Sequence, residues 1–164
     1  MTASMSNPSL DPEDKRKHLD LIQAVVTRMS AASSNAKSWL LPVVTAAYGF
    51  ALTSSSGSVA TLGIVAVLLF SYLDANYLRQ ERAYRVLYDV VALGEKQVPR
   101  FSLNTGHANE PLPDTDALTK KQKVGVIVKR WLPGWRIWIS WSIAPFYGTL
   151  LVLGIGVLIY AIVK

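Results

Sequence analysis

Charge is missing from two long stretches of this 164-residue chain. No Lys, Arg, Asp or Glu lies between Lys37 and Asp74, and none lies between Arg136 and Lys164. The remainder is dense in charge, with seventeen Lys and Arg and eleven Asp and Glu in all. A helix in water needs a polar face along its whole length. Two runs without a single charge therefore predict helices surrounded by lipid, in an all-α integral membrane protein.

The first run divides into two apolar segments, residues 39–53 (WLLPVVTAAYGFALT) and 59–73 (VATLGIVAVLLFSYL), around Ser54-Ser55-Ser56-Gly57-Ser58. A short uncharged turn between two short spans predicts a transmembrane helical hairpin. At 1.5 Å per residue each segment covers about 22 Å, short of the roughly 30 Å hydrocarbon core. The small polar Ser30–Ser38 flank, uncharged except for Lys37, extends the first span on its inner side, or the bilayer thins locally. Pro42 is expected in the first turn of its span, where a missing N–H costs least. Ala46, Ala47, Gly49, Ala60, Gly63 and Ala66 let the two helices come close.

Upstream, residues 1–10 are Ser-, Asn- and Thr-rich and read as disordered. They do not have the form of a cleaved signal peptide. Asp11-Pro12-Glu13-Asp14 then starts a helix by capping, ring geometry and dipole complementarity. Leu19, Ile22, Val26 and Met29 form one apolar stripe, which predicts an amphipathic helix over about 12–33. Downstream, LDANYLRQERAYRVLYDVVAL (73–93) has no Gly or Pro, so the second span continues as a cytoplasmic helix over 74–93. Tyr77, Gln80, Tyr84, Leu87 and Val91 follow the 3-4-3-4 spacing of a coiled-coil seam, with Arg79, Arg82 and Arg85 as a ridge beside it. Gly94 marks the stop. Residues 11–96 thus form one unit of cytoplasmic helix, hairpin and returning helix.

Residues 97–134 form a basic cytoplasmic connector. Its first part carries Pro99, Gly106, Pro111 and Pro113, and its second predicts a basic amphipathic helix on the headgroups. A third transmembrane helix follows over 135–164, apolar from 137 to 163, with Pro145 as a kink. Trp131, Trp135, Trp138 and Trp141 mark its membrane interface, as Lys37 and Trp39 mark that of the first span. Sixteen of the seventeen Lys and Arg lie before residue 38 or between 79 and 136. The positive-inside rule then puts the N-terminus and 74–136 in the cytoplasm and the C-terminus outside. The expected partners are the bilayer, anionic lipid headgroups at the basic face, and further copies of the chain, with no nucleic acid.

Catalytic chemistry is not legible. Without cysteine there is neither disulfide nor thiolate metal site. His18 and His107 have no partner at metal-ligand spacing, so neither a metal nor another cofactor is expected. No nucleophile elbow or P-loop is present, and Gly154-Ile155-Gly156 reads as helix packing. Glu81 and Asp89 each stand four residues from Arg85, which ion pairs explain. Asp74, at the edge of the second span, requires a partner on a neighbouring helix or subunit.

His18-Leu19, Ile22-Gln23, Arg28-Met29, Lys37 and Trp39, then Leu73 to Arg82 (LDANYLRQER) with Tyr88-Asp89, resemble the RipA-like family of small bacterial membrane proteins. The likeness covers about residues 15–93, and more loosely Ser142 to Leu151 (SIAPFYGTLL). It implies an octameric assembly in the cytoplasmic (inner) membrane with no assigned enzymatic activity. On that basis Asp74, Tyr77, Arg79, Gln80, Glu81, Arg82, Tyr84, Tyr88 and Asp89 are the assembly candidates. The expected function is a ring-forming membrane scaffold or pore and not an enzyme. The alternative is a membrane-disrupting effector in stress or phage defence, triggered from the cytoplasm.

Overall fold

In a computed structural model, residues 11–108 and 134–164 are described, and among them every regular element is helical. The expected disordered N-terminus (1–10), the basic amphipathic helix of the connector and Trp131 lie outside these residues. Helix α1 runs from Pro12 to Ser54 and α2 from Gly57 to Leu93. A 3-10 turn spans Thr105–His107, the single helical turn α3 spans Trp135–Trp138, and α4 spans Ala144–Val163. Two of these, α2 and α4, are long and apolar enough to cross a membrane. The apolar part of α1 is not among them.

Local chemistry sets the ends. Pro12 opens α1, and Lys15 N–H already bonds the Asp11 carbonyl at 2.9 Å. At its far end Ser55 takes φ 47° and Ser56 N–H reaches back to the Ala51 carbonyl at 3.1 Å. Gly94, at φ 71°, ends α2 the same way, with Glu95 N–H on the Val90 carbonyl at 3.3 Å. A left-handed residue just past the last turn satisfies the orphan carbonyls.

Three expectations need correction. The amphipathic helix does not stop near 33, because Ser30–Ser38 holds no Gly or Pro and continues α1 without a break. Serine hydroxyls bond within the helix, as Ser38 does to the Ser34 carbonyl at 3.1 Å. Pro42 consequently sits inside a 43-residue helix, not in a first turn. The third helix does not begin at 135. Pro145 cannot donate to the residue 141 carbonyl, so the chain turns through 139–143 and restarts at Ala144, with Pro145 in the first turn and not at a kink.

The described residues form two compact units. In the first, 11–28 pack against 81–93 and the returning 94–108. Ile22, Val26, Leu87, Val90, Val91 and Ala108 are its buried cluster, flanked by Leu19, Tyr84, Tyr88 and Val98. Polar side chains tie down the end of α2 and the returning segment. Lys15 Nζ donates to the Ala92 carbonyl (2.8 Å), His18 Nε2 to that of Ser102 (2.9 Å), and Arg100 pairs with Asp14 (3.2 Å).

The second unit holds 29–80 and 134–164 among the described residues. Its α1 and α2 portions pair antiparallel, and α4 packs on both. Leu40, Val44, Tyr48, Val67, Ile143 and Tyr147 lead its cluster. Tyr48 is the knob that joins the three helices. A methyl at Gly63 or Gly154 would come within 3.0 Å of its ring, and its hydroxyl donates to the Leu150 carbonyl at 3.3 Å. Outside, this unit is apolar: Leu62 (66% exposed), Leu69 (63%) and Val152 (71%) face away from it.

Candidate functional site

The second unit buries charge while it exposes hydrocarbon. Asp74 is fully buried on α2. Its Oδ1 accepts a short hydrogen bond from Ser33 Oγ, and its Oδ2 pairs with Lys37 Nζ at 2.6 Å. Lys37 also donates to Ser33 Oγ and Ser142 Oγ, each at 3.2 Å. These three contacts occupy the three protons of an ammonium. The Tyr147 phenol, from the first turn of α4, lies beside the Asp74 carboxylate. It is buried, yet no hydrogen bond of ordinary geometry satisfies its hydroxyl.

Sequence periodicity places this cluster. Ser33 and Lys37 are one turn apart on α1, and Leu40 and Val44 continue the same buried face. On α2, Val67, Ser71, Asp74 and Ala75 are buried in succession. Ser142 comes from the turn before α4 and Tyr147 from its first turn.

Lys37 does not snorkel. Its side chain is only 20% exposed and turns inward to Asp74, because a carboxylate excluded from solvent holds an ammonium more strongly than water does. Asp74 accordingly finds its partner on a neighbouring helix of its own chain, which removes the need for a partner subunit. Trp39 (71% exposed) and Trp141 (91%) point outward. Trp138 instead packs against the buried cluster, and the side chain of Trp135 lies outside what is described.

The assembly candidates scatter. Tyr77 lines an open groove of about 390 Å³ with Ala32, Asn35, Ala36, Trp39, Phe70 and Leu73. Gln80 is exposed and Glu81 is buried, so the packed face of α2 lies one residue away from the expected seam at that point. Arg79 is half-buried and Arg82 exposed, and both are engaged in polar interactions. Glu81 accepts from Arg85 Nε and Nη2 at 2.9 and 2.7 Å, the expected pair four residues apart. Tyr84 and Tyr88 flank the cluster of the first unit, and Asp89 is exposed.

Ser33, Ser142 and Tyr147 escaped the sequence reading as a group. Ser33 stood one turn before Lys37, and the other two stood in the SIAPFYGTLL stretch, but nothing local joined those positions. His18 is fully buried in the first unit, with Nδ1 unpartnered and its ring 6.1 Å from that of Phe101. It ties the returning segment to α1 there. Among the described residues no group of three His, Cys, Asp or Glu could hold a metal ion. Compared with models of known families, with curated proteins and with solved structures, the chain matches none.

Proposed function

We propose that this chain is an integral protein of a bacterial cytoplasmic membrane that assembles with copies of itself into a ring and serves as a scaffold or pore. The observation that carries the reading is the inversion of the second unit, where an ion pair is enclosed and the outer surface is apolar. Along α4 only Tyr147 and Gly154 are buried, while Val152, Ile155, Ile159 and Ile162 are at least half exposed. At 20 residues α4 is about 30 Å long, the thickness of a hydrocarbon core. Lipid is the solvent in which such a surface is stable.

On this reading α1 and α2 enter the bilayer as a hairpin, with residues 39–53 and 59–73 in lipid and Trp39 and Trp141 among the headgroups. The basic segments before residue 38 and between 79 and 136 meet the anionic cytoplasmic leaflet. Self-association rests on the likeness of 15–93 to the RipA-like family, and the coiled-coil character of 12–33 with 74–93 belongs to the same proposal. The shallow seating of α4 favours a second reading, an effector whose last helix rearranges on a cytoplasmic signal and disrupts the membrane.

The chain has no native cysteine, so introduced thiols report topology cleanly. Ser56→Cys should react with an impermeant maleimide from outside intact cells, and Asn104→Cys only after permeabilisation. The opposite pattern would reverse the orientation, and labelling of both in a soluble fraction would remove the membrane. Native mass spectrometry from nanodiscs should show a closed oligomer, and a monomer would remove the ring. Conductance in proteoliposomes then separates pore from scaffold.

A further inference from the structure

The Lys37–Asp74 pair does more than fill a core. A buried ion pair seldom outperforms apolar side chains of the same volume in net stability, because desolvating both charges offsets their attraction. What it supplies is discrimination, since few arrangements give a buried ammonium and carboxylate their partners together. Here that arrangement takes groups from each long element: Ser33 and Lys37 from α1, Asp74 from α2, and Tyr147 from the first turn of α4, with Ser142 from the turn just before it.

For α4 the discrimination matters most. In a bilayer its apolar side chains gain no hydrophobic energy by leaving lipid for another helix, so packing and polar contacts must hold it. The packing is narrow. It consists of Gly154 under the Tyr48 ring, the Tyr48 hydroxyl on the Leu150 carbonyl, and Leu158 and Ile162 beside Gly57. Apart from that Tyr48 hydrogen bond, the polar hold on α4 sits at its N-terminal end, through Ser142 on Lys37 and Tyr147 beside Asp74.

We propose that Lys37 and Asp74 form a latch that seats α4 on α1 and α2, and that opening this pair frees α4 while leaving α1 and α2 paired. The proposal rests on the membrane reading above. Lys37 holds both Asp74 and Ser142, so without it the carboxylate must be hydrated from the connector side. Water admitted there separates Tyr147 and Ser142 from the cluster. Between α1 and α2, Ser33 on Asp74 and Tyr48 on Gly63 remain.

Spin labels in nanodiscs test this in the chain as it stands. A Thr53→Cys/Ile159→Cys pair reports α1 to α4, and a Leu41→Cys/Leu69→Cys pair reports α1 to α2, all four positions being exposed. Lys37→Met should split the first distance distribution into two populations and leave the second single. Reversing the pair, with Lys37→Glu and Asp74→Lys together, should restore one population in the first. A first distribution that stays single in Lys37→Met would overturn the latch. So would broadening of both pairs, which makes the charges a general clamp. Should Lys37→Met not insert, Ser142→Ala reads the same device by hydrogen exchange. Loss of one hydrogen bond should speed exchange of the Tyr147 and Gly148 amides about fivefold, and unchanged rates there would also overturn it. Failure of the unmodified chain to enter nanodiscs would count against the membrane reading and not against the latch.

Discussion

The two units of this chain solve opposite problems with the same two helices. In the first, Ile22, Val26, Leu87 and Val91 are inside, and at the edge Lys15 bonds the end of α2 while Asp14 pairs with Arg100 of the returning segment. In the second, Lys37 and Asp74 are inside, and Leu62, Leu69 and Val152 are outside. Helix α1 contributes to both without interruption, so local propensity cannot account for the inversion. The surroundings can. On the proposed membrane reading, water favours the first arrangement through burial of hydrocarbon, and lipid favours the second because it leaves charges no other refuge.

Equal exposure with unequal consequence is the sharpest way to break this contrast. Val152 of α4 and Leu93 at the end of α2 are each 71% exposed. In lipid, Val152→Asp places a carboxylate near mid-helix and should cost about 3 kcal/mol of insertion. Leu93→Asp should stay within about 0.5 kcal/mol, as exposed substitutions in water do. The membrane-inserted fraction of each variant measures both. Similar losses would erase the distinction between the two surfaces.

Packing inside the second unit gives the next largest effect. Gly154→Ala brings a methyl within 3.0 Å of Tyr48 and Ile64, whereas a methyl at Gly148 of the same helix meets nothing within 4 Å. Tyr48 is pinned on its other side by Gly63. Gly154→Ala should therefore destabilise α4 by about 1–3 kcal/mol, and Gly148→Ala should be tolerated. Thermal unfolding in detergent ranks them. Equal behaviour would mean that Tyr48 does not anchor α4.

These features were unequally legible in the sequence, for a physical reason. The helix start at Asp11-Pro12, the stop at Gly94 and the stripe Leu19-Ile22-Val26 depend on neighbours within one or two turns, and each lies where expected. The start of α4 was local too, yet the unbroken apolar run from 137 concealed Pro145 as a starting residue. The seam on α2 was displaced at residues 80 and 81 because several 3-4 registers pass through one apolar helix, and only the partner selects among them. The Asp74 cluster lay furthest out of reach, since Ser33 and Ser142 are more than a hundred positions apart. A carboxylate at the edge of an uncharged run signalled that a partner must exist, without saying which.

Within the first unit the expected effects shrink. His18 donates from Nε2 to Ser102 and leaves Nδ1 buried without a partner, so the imidazole brings both a contact and a cost. His18→Leu removes both. The net loss should be about 1 kcal/mol, confined to the returning segment. Exchange of the 97–108 amides should accelerate while those of 40–50 stay unchanged. Acceleration in both segments would show that the two units open together.

The smallest effect tests where one regime gives way to the other. The Glu81 side chain is 11% exposed, and that of its partner Arg85 is 62% exposed. If residue 81 already stands in water, Arg85→Ala forfeits an ordinary pair four residues apart, about 0.3–0.5 kcal/mol. The loss should fade as salt rises toward roughly 1 M, where screening acts over about 3 Å. If residue 81 instead shares the surroundings of Asp74, removing Arg85 strands a carboxylate. The loss should then approach that of Gly154→Ala and ignore salt. Denaturation of the first unit at low and high ionic strength decides between them, and so places the change of solvent on α2 either before Glu81 or beyond it.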